Sequence, residues 1–168
     1  LRVMQARRTV LELILSNHPF DCLICAKSGK CDLQALAQQL GIRQIHYSGE
    51  KSHYKCDASP AILRDMDKCI LCRRCVTACN EVQTVGVLSP VYRGFHSVVA
   101  PAFEMDLDHS NCTYCGQCVA VCPTGALTEQ DNTWMVLDAL VAPGKTVVVQ
   151  TAPAVRAALG EEFGLPPG

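Results

Sequence analysis

The chain has 168 residues, 18% of them charged and 49% hydrophobic, with a formal net charge of -1. That balance makes no electrostatic case for nucleic acid, no apolar run approaches the roughly 20 residues that span a bilayer, and no signal-peptide layout opens the chain. A cytoplasmic protein without a membrane segment is expected. The unusual feature is 12 cysteines beside an aromatic content of 5%; with nothing signalling export, and with C-x-x-C spacings dominant, these thiols read as metal ligands rather than disulfides.

In chain order, Val3, Met4, Val10, Leu11, Ile14 and Leu15 recur at helical spacing and predict an amphipathic helix to about Ser16. It ends at Asn17-His18-Pro19, where the proline disfavours helix at His18. A loop with Cys22, Cys25 and Cys31 follows, then a short helix with apolar Leu33, Leu36, Ala37 and Leu40, stopped by Gly41. Residues 45–59 have no period and read as a linker. Residues 85–91 and 97–102 are Val-rich and predict short strands or a hairpin. A polar helix over 130–142, a strand over 146–149 and a helix over 153–159 close the chain, Pro153 suiting a first helical turn. The sequence opens without Met inside a helical pattern and stops at Pro166-Pro167-Gly168 just after new elements begin, so it reads as a piece of a longer polypeptide.

Sliding the sequence against itself by 43 residues aligns Cys69, Cys72, Cys75 and Cys79 with Cys112, Cys115, Cys118 and Cys122, each in the pattern C-x2-C-x2-C-x3-C. One tight loop of this spacing offers three thiolates to three corners of a cubane, while the fourth cysteine points away. In the bacterial two-cluster pattern that fourth cysteine serves the other cluster. The expected sets are therefore Cys69, Cys72, Cys75 and Cys122 for one 4Fe-4S cluster, and Cys112, Cys115, Cys118 and Cys79 for another. Pro123 follows the second run as the pattern expects; Asn80 stands in its place in the first. Two short helices are expected after the two runs. Zinc is the alternative, but closed zinc sites use two plus two ligands and leave the third and fourth cysteines of each run without a job.

His18-x3-Cys22-x2-Cys25-x5-Cys31 makes a third set of four, with Lys27-Ser28-Gly29-Lys30 as a flexible, positively charged turn. A neutral imidazole in place of a thiolate should raise the potential. A helix-terminal histidine meeting the dipole, or a zinc site of the same four residues, are the alternatives. Three clusters thus use eleven cysteines and His18. Cys56 is left as a free or buried structural thiol, with His53 at most half a site. His46, His96 and His109 read as surface histidines and Trp134 as packing. Arg73 and Arg74 either tune a cluster or solvate a face. No phosphate loop and no Ser/His/Asp set is present, so no catalytic residues are expected.

HPFDCLICAKSGKCDLQ resembles the segment with one histidine and three cysteine ligands shared by iron-only (FeFe) hydrogenases, the large iron-sulfur subunit of NADH:quinone oxidoreductases and some NAD-dependent formate dehydrogenases. KCILCRRCVTACNEVQTVGVL and NCTYCGQCVAVCPTGAL resemble the adjoining two-cluster ferredoxin domain of FeFe hydrogenases, and VVVQTAPAVRAALGEEFGL resembles the first strand and helix of their catalytic domain. The resemblance implies an α+β protein: the last helix of a 2Fe-2S domain (1–16), a histidine/cysteine-ligated 4Fe-4S module (17–58), a two-cluster ferredoxin-like domain (59–129), and a linker helix with the start of the catalytic domain (130–168). It implies an electron relay working with flavin- and NAD(P)H-binding subunits or a ferredoxin in a multisubunit complex. Such hydrogenases hold a diiron hydrogen-activating cluster on four further cysteines, and no cysteine follows Cys122, so that centre is expected outside these residues. An iron-sulfur subunit segment of an NADH:quinone oxidoreductase or NAD-dependent formate dehydrogenase is the alternative, and a purely structural, metal-bound assembly module is the alternative from another class.

Overall fold

The computed structural model describes residues 1–165; the expectation at Pro166-Pro167-Gly168 lies outside them. The chain divides into two compact units, Leu1–Gln130 and Asp131 onward.

In the first unit, helix α1 (Arg2–Asn17) forms where the periodicity expects it. Its apolar stripe is only partly covered, with Leu11 buried and Val3, Val10 and Leu13 at least half exposed. Buried Glu12 accepts a hydrogen bond from the His46 ring at 3.1 Å, tying the chain beyond Gly41 back to the helix. Helix α2 (Asp32–Gln39) buries Leu33 and ends before Gly41, whose φ of 63° is the left-handed stop that glycine adopts without strain.

The ferredoxin-like part is built on small strands. β1 (Asp57–Ala58), β2 (Ile62–Arg64) and β5 (Leu127–Glu129) form an antiparallel sheet in the order β1-β2-β5, with Leu63 opposite Thr128 and Ala58. The stretch expected as a linker therefore ends in a strand, and the expected boundary at 58/59 falls inside the β1–β2 hairpin. A two-residue strand is too short to show a period; what secures it is a buried ion pair. Arg64 Nε donates to Asp57 Oδ2 at 3.0 Å, Arg64 NH1 donates to the Val99 carbonyl at 2.9 Å, and the Leu107 N–H donates to Asp57 Oδ2 at 3.0 Å. Neither side chain of the pair exceeds 7% exposure. Removing one partner would strand the other charge in the core.

The expected hairpin forms from β3 (Ser89–Val91) and β4 (Val98–Ala100). Ile62, Met66, Leu88, Val98, Val99, Leu107, Val119 and Leu127 make the core, with Cys75 and Cys122 inside it. Helices α3 (Arg74–Thr77) and α4 (Gln117–Ala120) begin within the cysteine runs rather than after them. Their ends differ. Pro123 follows Cys122 in the second run, whereas the first continues through a wide π-helical turn, Ala78–Val82, that carries Cys79 and Asn80. Asparagine keeps the backbone N–H and φ freedom that proline lacks, so the turn can widen there.

The second unit holds α5 (Thr133–Val141) and α6 (Pro153–Glu162). The expected polar helix is apolar: Gln130, Asp131 and Asn132 precede α5, and Trp134, Met135, Leu137 and Leu140 on it are exposed. Trp134, expected as packing, is 73% exposed. The strand expected over 146–149 does not form; β-branched residues favour extended backbone, but a strand needs a partner ladder, and none is offered there among the described residues.

Candidate iron-sulfur sites

At the end of α1, Pro19 forces His18 into extended backbone, with φ -81° and ψ 141°. The imidazole Nδ1 lies 2.9 Å from the Pro19 carbonyl oxygen, the geometry in which Nδ1–H donates and Nε2 keeps its lone pair. That Nε2 is buried without a hydrogen-bond partner, alone in this among side-chain nitrogens and oxygens of the described residues. An orphaned buried acceptor costs about 1–3 kcal/mol unless a ligand satisfies it. In the loop that follows, Cys25 and Cys31 are half-buried and Cys22 is exposed. The Ser28 N–H donates to the Cys25 carbonyl, and the Gly29 N–H, with φ 76°, to the Gln34 side chain. Cys31 itself begins α2, its carbonyl accepting from the Ala35 N–H.

The 43-residue sequence repeat is also a backbone repeat. Leu71 and Tyr114 share φ values of 55° and 53°, Arg73 and Gly116 values of 62° and 74°. The left-handed residues turn each loop inward, so that the Leu71 N–H approaches Cys69 Sγ at 3.4 Å and the Tyr114 N–H approaches Cys112 Sγ at 3.5 Å. Cys69, Cys72, Cys75 and Cys122 line one cavity, together with Met66, Val99 and Leu127. Burial pushes the Cys75 thiol up to about 12, and the neighbouring Cys69, Cys122 and Cys72 add to the shift. Burial likewise pushes Cys118 up to about 11, with Cys112, Cys115 and Cys79 adding to it while the Val119 N–H opposes. Cys122 therefore stands among the three cysteines of the first run, and Cys79 lies near Cys118 of the second. Thiols raised this far are protonated at neutral pH, so any metal that binds them must displace protons, and binding strengthens as pH rises.

The N-terminal loop is packed onto the second cysteine run. The Asp32 N–H donates to the Pro123 carbonyl at 2.9 Å, and a Cβ added at Gly125 would sit 2.7 Å from Cys25 Sγ. Lys68 Nζ pairs with Asp21 at 2.9 Å and with Asp65 at 3.0 Å. Burial pulls this ammonium down, but the hydrogen bonds to Asp21 and Asp65 outweigh it and raise it above the usual lysine range. Arg74 reaches Asp32 at 3.1 Å, an exposed pair of small energetic value, while Arg73 is exposed. Asp21, Lys68, Thr124 and Gly125 had no signal in the sequence beyond lying within three positions of a cysteine.

The leftover residues stay apart from these sites. Cys56 is free and exposed, and His53 turns to Asp67 at 3.3 Å rather than to it. His46, His96 and His109 are exposed. Among the described residues, the three metal-binding side chains whose ligand atoms lie within 4.8 Å of one another are Asp106, Asp108 and His109, none of them buried.

Residues 7–46 match the NADH-ubiquinone oxidoreductase-G iron-sulfur binding region, and residues 68–126 match the 4Fe-4S dicluster domain. Fold and site together define a 4Fe-4S protein of mixed helix and small-sheet type with a ferredoxin-like domain. Over these residues the chain is similar to iron-sulfur subunits of NADP-linked hydrogenases and NADH oxidoreductases. It is 67% identical to the NADP-reducing hydrogenase subunit HndD of Solidesulfovibrio fructosivorans over 100% of its own length and 29% of that protein's. It is 39% identical to the NADH-ubiquinone oxidoreductase 75 kDa subunit of Acanthamoeba castellanii over 77% of its length and 19% of that protein's. Among solved structures, an NAD+-reducing NiFe hydrogenase in the H2-reduced state matches with a TM-score of 0.71 and 30% identity, over 77% of this chain and 56% of that one. The chain thus spans less than a third of the length of the first two relatives. No helix among the described residues is long and apolar enough to cross a membrane.

The residues fit iron-sulfur clusters: the donors are soft thiols in sets of three, backbone N–H groups face their sulfurs, and one imidazole nitrogen is buried with nothing to bind.

Proposed function

We propose that this chain is the electron-relay region of an FeFe hydrogenase subunit, holding three 4Fe-4S clusters: one on His18, Cys22, Cys25 and Cys31, one on Cys69, Cys72, Cys75 and Cys122, and one on Cys112, Cys115, Cys118 and Cys79. When bound, the clusters supply one-electron chemistry between flavin- and NAD(P)H-binding subunits, or a ferredoxin, and a hydrogen-activating diiron centre held elsewhere. The observation that supports the reading is the cavity lined jointly by Cys69, Cys72, Cys75 and Cys122, with Cys79 near Cys118 of the other run beside it. The protein's own part is mechanical and electrostatic. Pro19 orients the His18 ring, left-handed residues aim N–H groups at Cys69 and Cys112, and the core around Cys75 and Cys122 excludes water. Ligand count speaks against zinc: closed zinc sites use two plus two ligands, which leaves the third and fourth cysteines of each run without a role.

Setting in an NADH:quinone oxidoreductase is the second reading, favoured by the match over residues 7–46. The hydrogenase setting rests on the relative that is similar along the whole chain, residues 131–165 included. Anaerobic reduction by dithionite, followed by electron paramagnetic resonance, tests the relay: reversible signals from reduced 4Fe-4S centres are expected. Protein that stays silent while retaining its metal would be a scaffold instead.

A further inference from the structure

Lys68 stands directly before Cys69, yet its side chain belongs to the junction with the N-terminal loop. Its Nζ binds Asp21, the residue before Cys22, at 2.9 Å, and Asp65 at 3.0 Å. The side chain is only 15% exposed, and the two carboxylates are 31% and 25% exposed. Its stem passes Gly125, where an added Cβ would meet Lys68 Cδ at 3.4 Å and Cys25 Sγ at 2.7 Å. Its carbonyl accepts the Thr124 hydroxyl at 2.8 Å, and that hydroxyl lies 3.9 Å from Cys122 Sγ. One residue therefore touches the neighbourhoods of Cys22 and Cys25 on one side and of Cys69 and Cys122 on the other. The nearby exposed pair of Arg74 and Asp32, by contrast, lies open to solvent screening.

We propose that Lys68 is a positioning residue that clamps the His18–Cys31 site onto the Cys69–Cys122 site and, through its fixed charge between them, sets the potentials of those two clusters but not of the third. This rests on the cluster reading above. The physical reason is the sign of the charge: reduction adds an electron to a cluster already anionic, and a partly buried cation nearby favours the reduced state more than it would in water. The clamp also holds one separation between the two sites, since Gly125 leaves no room for a side chain against Cys25.

The test compares Lys68→Met, Lys68→Arg and Asp21→Asn in the cluster-loaded chain by redox titration followed with electron paramagnetic resonance, after iron and sulfide analysis of each. Lys68→Met removes a positive charge and should lower the potentials of the His18 and Cys69 clusters. A tenfold fall in the reduced-to-oxidised ratio at fixed potential is expected, about 59 mV for a one-electron couple. Asp21→Asn removes a negative charge from the same junction and should move them in the opposite direction. Lys68→Arg should restore the wild-type values, and the Cys112 cluster should stay in place throughout. A merely structural role for Lys68 would not give shifts of opposite sign. Unmoved potentials in Lys68→Met and Asp21→Asn, or equal shifts of all three clusters, would overturn the proposal. If Lys68→Met does not load its clusters, Asp21→Asn decides alone: a rise at the two junction clusters supports the clamp, and no rise overturns it. Wild-type protein without sulfide would instead refute the cluster reading.

Discussion

A histidine at the end of a helix ordinarily turns a charged ring toward the carbonyl ends of that helix. His18 does otherwise: Pro19 bends the backbone, the Pro19 carbonyl takes Nδ1, and Nε2 is left buried and unpaired. For a neutral ligand at one corner of a cluster, that is the required arrangement, since the hydrogen bond on one nitrogen selects the other for metal. His18→Cys should therefore keep the cluster and lower its potential, because a thiolate adds the negative charge that imidazole withholds. A redox titration checks this, and a curve identical to wild type would count against His18 as a ligand. The same residue shows what spacing can and cannot reveal. Its distance from three cysteines made it a ligand candidate and Pro19 marked the break in the helix, whereas the pairing of Nδ1 with the Pro19 carbonyl depends on a ring orientation that spacing does not report.

Among the elements, the loops that carry the cysteines were the most legible, because ligand geometry imposes a fixed spacing that appears in the sequence twice. The short strands were not. β1, β2 and β5 have two or three residues each, too few for alternation to register, and they depend on pairing between distant positions, such as Leu63 with Thr128, and on the Arg64–Asp57 pair. The π-helical turn at Cys79 was visible only as the absence of a proline at Asn80. Valines at 147–149 suggested a strand that the described residues do not partner, a case of propensity without a ladder. The junction between the His18 loop and the Cys122 loop was invisible, yet it makes a sharp prediction at Gly125. Gly125→Ala places a Cβ 2.7 Å from Cys25 Sγ, so either the Cys25 side chain leaves its position, and with it the ligand set, or one of the two loops moves. A loss of about 1–3 kcal/mol is expected from such overpacking, together with an altered resonance signal from the His18 cluster. Chemical unfolding under anaerobic conditions measures it; a change within about 0.5 kcal/mol and an unaltered signal would show that the junction yields freely.

At the scale of the molecule, the first unit is a small core organised around thiols. Few aromatics are available to it, and Cys75 and Cys122 occupy core positions. On the proposed reading, eleven of the 12 cysteines hold clusters and only Cys56 lies outside the three sets. The central claim is three 4Fe-4S clusters in one chain, and metal and acid-labile sulfide analysis after anaerobic reconstitution tests it most directly. The account predicts about 12 iron and about 12 sulfide per chain; a chain filled with about three zinc ions and no sulfide would contradict it.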